Sequence, residues 1–128
     1  MNGHSKHPNA PIAAVDFDGV IVEERWPEIG QLMPGAVEAM QAIHRAGWWI
    51  VINTCRAGRL AEEARAFLLD AGIPFDRFNE NLEHRSQRFG SDSRKISADV
   101  YIDDRNLGGF PGWPVVLEQL LADKEPVK

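Results

Sequence analysis

Two aspartates, Asp16 and Asp18, stand at the end of an apolar run, with Gly19 immediately behind them; residues 12–22 read IAAVDFDGVIV. On an extended chain the side chains at i and i+2 leave on the same side, so both carboxylates point one way. Delivering two acids to the end of a buried strand costs desolvation energy unless something offsets it. A divalent cation is the usual offset, and phosphoryl chemistry is the usual reason to hold one. The competing explanation is an Asx-turn, in which Asp18-Gly19 simply ends a strand. Two later apolar runs end in the same manner: 48–54 (WWIVINT) closes on Thr54, and 98–104 (ADVYIDD) closes on Asp103 and Asp104. Lys95 stands shortly before the last run. Turn chemistry explains any one of these endings but not the set.

The segments between these runs read as helices. Pro34 opens a stretch in which Val37, Met40, Ile43 and Ala46 recur at helical spacing, and Gly47 closes it. Leu60, Ala64, Phe67, Leu68 and Ala71 form the apolar face of a second helix, ended by Gly72-Ile73-Pro74. A short strand is expected over 75–78, a long loop or partial helix over the polar 79–93, and a closing helix over 114–121. Nearly continuous apolar strands separated by helices imply a parallel sheet with right-handed crossovers. The expected fold is α/β, a three-layer α/β/α Rossmann-like sandwich with helices on both faces of a parallel central sheet. In such sheets sites form beyond the C-terminal strand ends, where Asp16, Asp18, Thr54, Asp103 and Asp104 all fall.

The 128 residues suit one domain, assigned to 11–123 between a flexible tail at 1–10 and a short tail at 124–128. A net charge of −5 argues against a protein that grips nucleic acid by neutralising phosphates, yet leaves room for a small anionic substrate. The single cysteine, Cys55, cannot form an internal disulfide, which fits a reducing, cytoplasmic setting. No apolar run approaches membrane-spanning length, and the start MNGHSKHPNAP has no signal-peptide core. His4 and His7 in that start read as solvated tail rather than metal ligands.

DFDGV, the hydroxyl ending INT, Lys95 ahead of a strand and the acid pair of YIDD resemble, in order, the four motifs of the haloacid dehalogenase-like hydrolase superfamily. The resemblance spans 16–104, and NTCR, ADVYIDDRN and LGGFPGW are similar to its very small members, which carry little or no inserted cap. It implies a Mg²⁺-dependent phosphatase working through an aspartyl-phosphate. Asp16 would be the nucleophile, and Asp18 the acid that protonates the leaving oxygen and later activates water. Thr54 and Lys95 would bind the phosphoryl oxygens, and the Cys55 backbone N–H would face the phosphate from a buried position. Asp103, with Asp104 as a further acid, would hold Mg²⁺ together with the Asp16 carboxylate and the Asp18 carbonyl. Crowded carboxylates repel one another, and one hard cation plus one lysine removes that cost.

The same pattern assigns 23–31 (EERWPEIGQ) to a small hairpin or flap, too short for a folded cap, with Trp26, Pro27 and Ile29 available for substrate or subunit contacts. Such an open site suits a larger substrate or closure by a second copy of the chain. Val20 stands where Thr is commonest in the superfamily, and the acids of the last motif are adjacent. Asp18 favours phosphoryl transfer over carbon–halogen cleavage, because the dehalogenase branch does without that acid.

Several residues have plainer readings. Thr54 is also a candidate N-cap, Lys95 a surface lysine, and Asp104-Arg105 a surface pair. Arg56 is placed either against an anionic substrate or in a salt bridge at the sheet edge. Trp48 and Trp49 read as packing. At the level of function, a receiver domain uses the same residue types in another order, with the acid pair first. A non-catalytic phosphate- or metal-binding scaffold of the same fold is the other alternative, although a pure binder has no need of Asp18.

Overall fold

In the computed structural model, residues 6–83 and 96–121 are described. The chain begins with β1 (Ile12–Val15), four apolar residues buried on both faces. The flap follows as a hairpin of β2 (Val22–Arg25) and β3 (Glu28–Leu32), paired antiparallel as its own two-stranded sheet. Next come α1 (Ala36–Arg45), β4 (Trp49–Ile52), α2 (Gly58–Ala71), β5 (Arg77–Phe78), β6 (Val100–Ile102) and α3 (Trp113–Leu121). The central sheet has the order β5-β4-β1-β6, and every pairing in it is parallel. Strands and helices therefore fall where the periodicity put them, with ends shifted by a residue or two.

Alternation along the strands divides the core. Ala13, Val15, Ile50, Ile52 and Ile102 face a large cluster that includes Met40 and Ile43 of α1, Ala64 and Leu68 of α2, and Trp113 and Val116 of α3. Ile12, Ala14 and Val51 face the opposite side, covered by Leu82 and Ile96. All helices described in full thus pack on one face, because β1→β4 and β4→β5 step the same way across the sheet. Leu82 after β5 and Ile96 before β6 both lie on that opposite face, and residues 84–95 between them lie outside the described set. Each aliphatic side chain buried at this level contributes roughly 1.5–3 kcal/mol.

Carboxylates accept N–H groups at the starts of the two central strands. Asp76 Oδ2 accepts the Ile50 N–H at 2.8 Å and the Lys6 ammonium at 2.7 Å, and Asp99 Oδ2 accepts the Ile12 N–H at 2.8 Å. Lys6 also lies over the Trp49 ring, whose indole N–H donates to the His7 carbonyl at 2.9 Å. The part of the expected loose tail from Lys6 to Ala10 is consequently tied to the sheet rather than free.

Register fixes the site. Val15 is level with Ile52 on one side and Ile102 on the other, so the residues after each leave the sheet at one edge. Those residues are Asp16, the loop carrying Thr54, and Asp103-Asp104.

Candidate active site

The ladder runs one bond past β1, with the Asp16 N–H donating to the Ile102 carbonyl at 2.9 Å. Asp16 Oδ1 accepts the Phe17 N–H at 2.8 Å, while among the described residues Oδ2 takes no hydrogen bond. Burial pushes the Asp16 carboxyl up to about 6, opposed by the Phe17 N–H and reinforced by the charges of Asp104, Asp18 and Asp103. Behind it the chain turns tightly: the Ile21 N–H donates to Phe17 O at 2.9 Å, and the Gly19 N–H to Val22 O at 2.8 Å. Gly19 has φ of 84°, and a Cβ there would collide with the Asp104 carboxylate. Trp113, buried in α3, anchors this turn by donating its indole N–H to Val20 O at 2.9 Å.

Thr54 leaves the end of β4 in an ST-type turn, its Oγ1 accepting the Arg56 N–H at 3.2 Å. It does not cap α2; Ala57 holds that position. Its own N–H is fixed by Asn79 Oδ1 at 2.8 Å. Asn79 follows β5 at a positive φ of 58°, a conformation Asn tolerates better than most residues. The polar composition of 79–93 concealed this positioning role. Cys55 is exposed, which corrects the expected buried cysteine: the loop between β4 and α2 turns its side chain outward to the cavity.

Of the two readings for Arg56, the salt bridge is the geometry present. Its side chain is fully buried, and it donates Nε to Asp18 Oδ2 at 2.9 Å and Nη2 to Asp18 Oδ1 at 2.8 Å. It also donates to the Pro27 carbonyl and the Glu28 carbonyl, each at 3.0 Å. The Asp18 hydrogen bonds raise the Arg56 pKa, against the effect of burial. Arg56 thus fastens Asp18 to the hairpin. Each Asp18 oxygen keeps a further acceptor site, and Asp18 still borders the cavity.

Asp16, Asp18, Thr54 and Asp104 line one cavity of about 460 Å³. Cys55 and Arg105 also line it, as do Glu24 and Trp26 of the hairpin. Asp104 is the acid of the pair that faces this space. Asp103 borders a separate 110 Å³ cavity beside α3, and its Oδ1 accepts the Arg105 N–H at 3.2 Å. The assignment of Lys95 falls on a residue outside the described set.

Among the described residues no three His, Cys, Asp or Glu side chains are gathered into a complete metal cluster. The donor set nevertheless fits Mg²⁺, which keeps most of its waters and needs only one or two carboxylates. Asp16 and Asp104, which line the same cavity, would supply them. A cation there would offset the repulsion among neighbouring carboxylates that adds to burial in raising the Asp16 pKa.

No family model and no curated protein matches this sequence. Among solved structures, a conserved protein from Bacteroides thetaiotaomicron shares 37% identity, with a TM-score of 0.78. The alignment covers 93% of this chain and 94% of that one. With that identity along nearly the full length of both, this chain belongs to the family of the conserved Bacteroides thetaiotaomicron protein.

Proposed function

We propose that the protein is a Mg²⁺-dependent phosphatase of the haloacid dehalogenase-like type, hydrolysing a small cytoplasmic phosphomonoester. The observation that carries this reading is the meeting of Asp16, Asp18, Thr54 and Asp104 around one cavity at the C-terminal edge of a parallel sheet. Asp16 Oδ2, free of hydrogen bonds among the described residues, attacks phosphorus while the ester P–O bond breaks and Asp18 gives its proton to the leaving oxygen. Water then attacks the phosphorus of the aspartyl-phosphate, Asp18 takes the water's proton, and the Asp16 carboxylate is regenerated as phosphate leaves. Thr54 donates its hydroxyl to a phosphoryl oxygen from the turn that holds it. Asp16 and Asp104 would hold Mg²⁺, which would supply charge neutralisation for the phosphoryl oxygens.

One observation favours a second reading, a phosphate- or metal-binding scaffold. Both Asp18 oxygens accept hydrogen bonds from Arg56, which gives the side chain a structural partner in place of a purely catalytic one. Phosphate release from a panel of phosphomonoesters, with Mg²⁺ and with chelator, separates the two. Metal-dependent release supports the phosphatase; Mg²⁺ binding without release from any ester supports the scaffold.

A further inference from the structure

The hairpin brings a column of stacked groups out of the core. Phe17 is 0% exposed, and the Arg56 guanidinium lies 5.4 Å from its ring centre; Arg56 is 1% exposed, and Trp26 lies 5.0 Å from the same guanidinium. Trp26 ends the column and is 51% exposed. Its footing is rigid, because Arg56 is held by hydrogen bonds to Asp18, Pro27 and Glu28. The Trp26 backbone N–H also donates to Glu24 Oε2 at 3.3 Å. A cation fixed beneath an indole holds the ring in place at low entropic cost. The half-exposed ring borders the cavity that holds Asp16 and Asp18. That cavity, at about 460 Å³, lies within the range of small-molecule sites.

We propose that Trp26 is a stacking platform for a planar heteroaromatic group of the substrate, so that the preferred ester is a nucleoside monophosphate rather than a sugar phosphate. The proposal deepens the phosphatase reading and rests on it for the reaction. Glu24 and Arg105, which line the same cavity, offer an acceptor and a donor to the edge of a base. An aryl phosphate shares the stacking chemistry and is distinguished by the test.

The test uses matched pairs: adenosine 5′-monophosphate against ribose 5-phosphate, and phosphotyrosine against phosphoserine, with wild type, Trp26→Ala and Trp26→Phe in Mg²⁺. The expected result is a wild-type preference in kcat/KM for the adenosine ester over ribose 5-phosphate. That preference should fall about tenfold in Trp26→Ala and be largely kept in Trp26→Phe. A preference confined to the tyrosine ester would overturn the nucleotide assignment. An equal loss on both members of each pair, or a change of association state with discrimination intact, would overturn the platform. Calorimetric titration of Asp16→Asn with the adenosine and ribose esters separates this from the chemistry. Tighter binding of the adenosine ester without turnover by wild type contradicts the phosphatase reading alone; equal binding contradicts the stacking.

Discussion

At the scale of single residues, the account turns on the charge of Asp16. Its carboxyl titrates at about 6 in the fold against an ordinary 3.8, chiefly through burial. The folded state therefore holds a proton that the unfolded chain gives up between those values. The resulting stabilisation is fully present below 3.8 and is lost as pH rises through about 6. In metal-free protein, Asp16→Asn should accordingly gain thermal stability over wild type as pH is raised across that window, with the difference vanishing at its acid end. A difference independent of pH would mean that burial does not raise the Asp16 carboxyl. The adjacent acids make a second test. Asp104 faces the cavity and approaches the bare backbone of Gly19, whereas Asp103 borders another cavity. Asp104→Asn should lower Mg²⁺-dependent phosphate release by roughly tenfold or more, a typical cost of weakening a metal site, and Asp103→Asn by less. The reverse order would return the metal role to Asp103. Sequence spacing placed both acids at the strand end but held no signal for which one turns inward; that depends on the Gly19 turn in space.

At the scale of elements, Arg56 joins parts that are distant in sequence. It connects the end of β1 to the hairpin through Asp18, Pro27 and Glu28. Replacing one partner of such a buried pair leaves the other charge uncompensated, so Arg56→Ala should cost about 3–5 kcal/mol of stability. Arg56→Lys keeps the charge without the planar fork. It should fold, yet lose more turnover on esters with poor leaving groups than on p-nitrophenyl phosphate, because a misplaced Asp18 matters most where protonation is needed. An equal loss on both ester types would reduce Arg56 to a structural tie. The strands and the helical faces were legible from turn residues and periodicity, and the hairpin from the superfamily resemblance. The partnership of Arg56 with Asp18 was not, since neither residue type nor spacing tells which of two nearby anions, a carboxylate or a substrate, a guanidinium will meet. Asn79 was hidden for a related reason: its effect on Thr54 exists only once β4 and β5 pair.

At the scale of the whole molecule, a four-stranded parallel sheet delivers its chemistry to one edge because its strands are in register there. The apolar runs ending in polar residues made this arrangement readable from the sequence, and the kinship with the Bacteroides thetaiotaomicron protein places 93% of the chain, not one motif, in a shared fold. Helices on both faces were expected; those described in full cover one face, and Leu82 and Ile96 cover the other. The most direct test of the central claim is to quench the protein during turnover of its best ester and locate the phosphoryl group by mass spectrometry, in wild type and in Asp16→Asn. The account predicts a hydroxylamine-labile phosphoryl group on Asp16 in wild type, with both the adduct and phosphate release lost in Asp16→Asn. Phosphate release that continues at the wild-type rate in Asp16→Asn, or a phosphoryl group carried by another residue, would contradict it.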